Sequence, residues 1–379
     1  MKTFNMRPEI YFNRGSLSLL SHCQNERAVI VSDATMAQFG YVDKIKAYLD
    51  QAHSTAEVWT GAKPNPDVAV VTDCLATLQR ISPSLLIALG GGSVIDTAKA
   101  ALYMWRALCD QQGTSFQRPT FVAVPSTSGT GSEVTSFSVI TDADGKKTTL
   151  IDAMMAPDMA ILDPTCTNAI PYKVTVDTGL DVLTHAFEAY VSVNATDFSD
   201  AMAEKAVQVV FDCLPQLKEN LDDDTARERM HNASCLAGAA FENAGLGINH
   251  SLAHALGGYW HLPHGRANAL LIEGVIQYNA DLNGSAQNRA TDKYAHLAKI
   301  LDLPARTARE GVVNLIAAVT NLKQSLDVPL GIAGTDIPWD DYEAALETLV
   351  TQALADRCTP TNPRTPSPED LRNILIRAF

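Results

Sequence analysis

No stretch of this chain approaches the roughly 20 consecutive apolar residues that a membrane-spanning helix needs. Its start, MKTFNMRPEI, lacks a charged region followed by an apolar signal core. A membrane partner is therefore not expected, and the expected compartment is the cytoplasm. Runs of lysine or arginine are also missing. With 29 basic against 43 acidic residues the formal charge is −14, a field that repels phosphate backbones and anionic lipid heads and argues against nucleic acid. Seven cysteines (Cys23, Cys74, Cys109, Cys166, Cys213, Cys235, Cys358) are scattered without a CxxC pair. That pattern fits reduced, mostly buried thiols better than a disulfide framework or a structural zinc site.

What is present is enough apolar material for a large core: 379 residues, 46% of them hydrophobic and 19% charged. Up to about residue 166, short β-branched runs (Ala28 to Ser32, Ala56 to Trp59, Leu85 to Leu89, Thr120 to Val124) alternate with amphipathic stretches. This is the sequence form of a parallel sheet flanked by helices. Asp144-Gly145, between two strand-like runs, reads as a hairpin turn. Beyond MAILDPTCTNAIP the strand signals fade and helical periods take over, as in SDAMAEKAVQVVFDCLPQL and EGVVNLIAAVTNLKQSL. The expected architecture is an α/β Rossmann-like domain over residues 1–166 and an all-α domain over residues 167–379. CTPTNPRTPSPED reads as a loop before a last short helix.

In the first half, the strand-like Leu85 to Leu89 runs into Gly90, Gly91, Gly92 and Ser93 and then a helical stretch. Such a loop brings backbone N–H groups and a helix N-terminus against an anion, for which a diphosphate is the natural guest. It matches neither GxGxxG nor GxxxxGK[ST], so alone it is only moderately specific. A second loop, Pro125 to Glu133, follows the next strand and is dense in hydroxyls able to bind phosphate, ribose or a nicotinamide amide. Asp33, ending VIVSD, stands where a carboxylate accepts from both ribose hydroxyls and repels a 2′-phosphate, which favours NAD over NADP. It is equally a common helix cap.

Five of the nine histidines, His185, His250, His254, His261 and His264, fall in two motifs, DTGLDVLTHAFEAY, which also holds Asp181, and GINHSLAHALGGYWHLPHG. Asp181 and His185 are four apart in a helical segment, as are His250 and His254, so each pair shares a helix face. His264 follows Pro263 past a helix end. Three imidazoles and a carboxylate make a sulfur-free site suited to divalent iron or zinc, with positions open for a substrate oxygen. Spacing alone does not choose which histidines ligate. HExxH is absent because Ala186 follows His185, so a zinc protease has no support. Paired with NAD, such an ion points to hydride transfer at an alcohol or carbonyl carbon.

ALGGGSVIDTAKA, PSTSGTGSEVT, DTGLDVLTHAFEAY, AGLGINHSLAHALGGYWHLPHGRANALL and TNPRTPSPEDL, in this order, resemble the iron-containing (group III) alcohol dehydrogenases over essentially the whole chain. HNASCLAGAAFENAGLGINH and HLPHGRANALL resemble most the propanediol- and ethanolamine-utilisation members. The resemblance implies a dehydroquinate synthase-like two-domain fold. It implies Asp181, His185, His250 and His264 as metal ligands, and His254 as the proton-relaying histidine. It places Asp33 at the adenine ribose, Asn65 near the adenine, and Gly91, Gly92, Ser93 and Asp96 at the diphosphate. Thr127, Thr130 and Ser132 fall at phosphate and nicotinamide, and Phe241 and Cys358 at the substrate. Phe137 stands where another member carries asparagine and Thr148 where members often carry lysine; Lys147 substitutes only if the hairpin register shifts. His261 inherits no ligand role and is read as a cleft-rim or outer residue.

The expected function is NAD(H)-dependent, divalent-metal interconversion of short aldehydes (propanal, acetaldehyde) and primary alcohols, with Fe2+ or alternatively Zn2+, in a cleft between the two domains. The resemblance implies a homodimer and a possible bacterial microcompartment association. The rivals are a metal-dependent lyase or sugar-phosphate enzyme on the dehydroquinate synthase plan, which needs more lysine and arginine than the motifs supply, and a non-catalytic microcompartment scaffold.

Overall fold

Residues 3–142, 147–284 and 287–379 are described by the structure, a computed structural model, and eight strands and thirteen α-helices run through them. Six strands, β1 (Glu9–Phe12), β2 (Arg27–Ser32), β3 (Thr55–Trp59), β4 (Leu85–Gly90), β5 (Thr120–Pro125) and β8 (Met159–Leu162), form one sheet in the order β1-β8-β5-β4-β2-β3. Every pairing in it is parallel. β6 (Phe137–Thr141) and β7 (Lys147–Ile151) make a separate antiparallel pair in which Thr141 faces Lys147. The turn assigned to Asp144-Gly145, and Lys146 beside it, lie outside the described residues.

Alternation along the buried strands divides the core of this unit into two layers. Val29, Val31, Leu86, Ala88, Phe121 and Ala123 pack with residues of α3 (Val68–Ile81) and α4 (Gly92–Gln112). Ala28, Ile30, Ile87, Leu89, Val122 and Val124 pack on the other face with residues of α1 (Ala34–Gln38) and α2 (Tyr41–Gln51). Helices on both faces leave a parallel strand no wet side, which is why these runs are continuously apolar. β1, which the sequence pattern did not suggest, ends the sheet with Ile10 and Phe12 exposed and carries no such run.

The sheet unit runs Asn5–Pro171, and Tyr172–Phe379 belongs to the other unit. From Tyr172 onward the described residues hold no strand, only α5 (Tyr172–Val191), α6 (Asp197–Glu219), α7 (Asp224–Ala244), α8 (Ile248–Trp260), α9 (His264–Asn279), α10 (Arg289–Ile300), α11 (Ala308–Ser325), α12 (Trp339–Ala355) and α13 (Pro368–Ala378), with short 3-10 turns. Starts are set by side chains accepting the first free N–H groups: Thr196, Asp223, Asn288, Thr307 and Ser367. Ser367 does so with Asp370 returning the bond, which ends the proline-rich loop and starts α13. Among the described residues no helix is long and apolar enough to cross a membrane.

Candidate metal and dinucleotide sites

α5 is buried almost all round, so its polar residues require partners. Four of them fall on one stripe: Asp177, Asp181, His185 and Glu188, at steps of four, four and three. Asp177 accepts from Arg266 Nε at 2.6 Å. The next three converge with residues of α8 and α9. Asp181, His185, His250 and His264 each offer one ligand atom, and these atoms all lie within 4.8 Å of one another.

Asp181 Oδ1 stands 3.8 Å from His250 Nε2 and 3.6 Å from His264 Nε2, and the rings of His185 and His250 stack at 4.6 Å. Three acceptor atoms directed at one point repel one another unless a donor or a cation lies among them. Asn268 Nδ2 supplies a donor, 2.7 Å from Asp181 Oδ1, 3.2 Å from His250 Nε2 and 3.3 Å from His264 Nε2. The donor chemistry, three imidazoles and a carboxylate without sulfur, fits a divalent ion such as iron or zinc. Gly265 makes the approach of α9 to α5 possible, because a Cβ there would meet Asp177 O at 2.0 Å.

Glu188 fixes one ring of this group. Its Oε2 bonds His250 Nδ1, while Oε1 accepts the N–H groups of Asn249 at 2.7 Å and His250 at 3.3 Å at the start of α8. Burial pushes the Glu188 carboxyl up to about 8 against those backbone bonds, and burial holds His250 well below the usual imidazole range. His250 is thus neutral, the form that ligates metal, with Nε2 turned to the group.

His254, one turn beyond His250, stacks on His264 with ring centroids 5.3 Å apart. Its Nδ1 lies 2.9 Å from Asp356 Oδ2. Burial raises the Asp356 carboxyl, but His254 and the Cys358 N–H outweigh it and hold the group below the usual carboxylate range. Phe241, on α7, lies with its ring 4.6 Å from that of His185. Cys358 is partly exposed beside Asp356, to which its N–H donates at 2.8 Å. His261 is exposed at the C-cap of α8 in a left-handed conformation and stands outside the four-residue group.

In the sheet unit the candidate dinucleotide residues gather at the carboxyl ends of β2, β4 and β5. The sheet order reverses between β2 and β4, the place where ligands of open parallel sheets bind. Gly91 caps α4, and Gly92 and Ser93 open it, so their N–H groups lack partners within the helix. Thr127 and Thr130 of the second loop lie against the first: a Cβ on Gly92 would meet Thr130 Cγ2 at 2.7 Å. Asp33 caps α1 by accepting from Met36 N at 2.9 Å. Ala62 N donates to Ser32 O at 3.3 Å and ties the loop bearing Asn65 to the end of β2.

Asp96 is turned into the protein, accepting from Ser132 Oγ at 2.7 Å and Val139 N at 3.0 Å. Burial raises its carboxyl, and the charges of Lys99 and Lys147 oppose that. Lys99, fully buried on α4, donates to Ser132 O at 2.6 Å, Thr135 Oγ1 at 3.1 Å and Phe137 O at 2.9 Å. Together they brace the hydroxyl-rich loop from below. Thr148, facing Ile140 in the hairpin, donates to Asp142 Oδ2 at 3.0 Å.

Glu188, Asn268, Asp356 and Lys99 were not singled out from the sequence. Glu188 carried a usable signal, since it continues the Asp177, Asp181, His185 stripe of one helix. Asp356 carried none, lying 102 residues from His254.

Two family models match the chain: "Iron-containing alcohol dehydrogenase" over residues 8–164 and "Fe-containing alcohol dehydrogenase family, C-terminal" over residues 175–379. The 1-propanol dehydrogenase PduQ of Salmonella typhimurium is 42% identical over 378 residues, covering 99% of each chain. An NADPH-dependent butanol dehydrogenase of Clostridium saccharobutylicum is 36% identical, covering 99% of this chain and 97% of its own. Among solved structures, the iron-containing alcohol dehydrogenase of Thermococcus thioreducens superposes with a TM-score of 0.89 at 33% identity, covering 100% of this chain and 99% of its own.

Proposed function

The chain belongs to the iron-containing alcohol dehydrogenase family, oxidoreductases that interconvert alcohols and aldehydes with NAD(H) and iron, and we propose that its substrates are short aliphatic aldehydes such as propanal and acetaldehyde and their primary alcohols. The observation that carries the reading is the convergence of Asp181, His185, His250 and His264 within 4.8 Å. The two cofactors supply hydride transfer and Lewis acidity at the alcohol or carbonyl oxygen.

The chain's own residues supply placement and proton movement. Asp181, His185, His250 and His264 hold the ion, with Glu188 orienting the His250 ring. His254 exchanges the substrate's proton through Nε2, because Asp356 occupies Nδ1. Phe241 and Cys358 border the substrate. In the sheet unit Gly91, Gly92 and Ser93 receive the diphosphate, and Thr127, Thr130 and Ser132 contact phosphate and nicotinamide. Asp33 takes the adenine ribose and selects NAD over NADP, Asn65 lies near the adenine, and Asp96 acts by holding Ser132 in place. The lyase weighed as an alternative is not favoured by the family membership.

A homodimer is part of the proposal, supported by β1, which ends the sheet with Ile10 and Phe12 exposed. The likeness to propanediol- and ethanolamine-utilisation enzymes supports a microcompartment association. Substrate class is tested by NADH oxidation over a panel of aldehydes with iron-reconstituted protein. Propanal and acetaldehyde should show the highest kcat/KM; preference for lactaldehyde or a sulfonated aldehyde would refute the assignment.

A further inference from the structure

Beside the four-residue group, the helical unit brings together a second set of metal-type side chains. His254 on α8, and Asp356 and Cys358 just after α12, offer a nitrogen, an oxygen and a sulfur within 4.8 Å of one another. The segment after α12 is anchored: Asp356 Oδ1 accepts from Cys358 N at 2.8 Å and Ser251 Oγ at 3.3 Å, and Thr359 Oγ1 donates to Ser251 Oγ at 2.8 Å. The three donors are therefore held relative to α8 rather than carried on a free loop. All three are partly exposed, so an ion can reach them from solvent. The quartet contains no sulfur, whereas this trio combines thiol, imidazole and carboxylate, a donor set that selects zinc-like ions.

We propose that His254, Asp356 and Cys358 form a second, inhibitory site for a thiophilic divalent cation such as zinc. The ion bonds the Cys358 sulfur as a thiolate, and the thiol proton passes to solvent; no electron is transferred. It also takes up the Asp356 carboxylate that orients His254 and engages the imidazole itself, removing that histidine from proton exchange. The inhibition rests on the role proposed above for His254, while the binding does not.

Cobalt(II) added to the iron-loaded holoenzyme reads the site directly, because only a sulfur ligand gives a thiolate-to-cobalt charge-transfer band in the near ultraviolet. The band should grow to saturation at one further ion per chain and be erased by zinc. It should be absent in Cys358→Ser, weakened in Asp356→Asn, and retained in Cys23→Ser, which alters the other partly exposed thiol. Zinc should inhibit aldehyde reduction by the wild type at least tenfold more strongly than by Cys358→Ser. No band, or a band that survives Cys358→Ser, overturns the site. A band without zinc inhibition overturns the inhibitory role and, separately, counts against His254 as the proton carrier.

Discussion

The Glu188 carboxyl group meets the His250 ring at Nδ1 with one oxygen and caps the helix that carries the ring with the other. A single buried side chain thus sets both the position of α8 and the direction of the His250 lone pair. Glu188→Gln keeps the shape, but with its oxygen still capping α8 its NH2 faces Nδ1 and can only donate, which makes Nδ1 the acceptor and puts the ring proton on Nε2, where it blocks ligation. Its metal affinity should fall roughly 10- to 100-fold, the usual cost of removing an outer partner of a metal-binding histidine. Metal content after equilibrium against a graded chelator series checks this, with circular dichroism confirming an unchanged fold.

His254 and His264 stack on one another, yet the proposal gives them separate roles. His264→Ala should lose the ion. His254→Ala should retain it and lose about 10²- to 10⁴-fold in turnover, the range of a positioned acid-base group. Metal analysis and kcat on both variants separate the roles; equal metal depletion would merge them.

Asp33 both caps α1 and carries the charge assigned to the adenine ribose. Asp33→Ser preserves a cap on Met36 N, since serine caps about as well as aspartate. The variant should therefore keep its thermal stability while KM for NADPH falls toward that for NADH. Kinetics with both cofactors tests it, and an unchanged preference would move the discrimination elsewhere.

Glu133 is buried in the hydroxyl-rich loop, and burial pushes its carboxyl from the ordinary 4.5 to about 7. The folded state therefore binds this proton more tightly than the unfolded chain. Stability should fall as pH rises from about 4.5 to 7, by roughly 3 kcal/mol from this group at the outset. Glu133→Gln should make that slope shallower in urea unfolding of the cofactor-free protein across the same window, leaving the part that Glu188 contributes.

The parallel sheet was legible because strands covered on both faces must be continuously apolar, and the runs from Ala28, Leu85 and Thr120 are; the run from Ala56 carries Glu57 and forms the edge strand β3. β1 was not, because an edge strand such as EIYF keeps apolar residues exposed and shows no core pattern. Asp181, His185, His250, His254 and His264 stood out because ligating residue types are scarce and paired at helical spacing. Their supports were hidden for a different reason. Asn268 and Asp356 are ordinary polar residues whose meaning comes from packing against distant helices, and Lys99 reads in sequence as a solvated helix position although it is fully buried.

In the proposed reaction, aldehyde reduction requires one ion held by Asp181, His185, His250 and His264. Titrating chelated protein with Fe2+ while following propanal-dependent NADH oxidation measures this. Activity should be absent without metal and rise linearly to a plateau at one ion per chain. Full activity in the metal-free protein, or a plateau reached only at two ions, would contradict it.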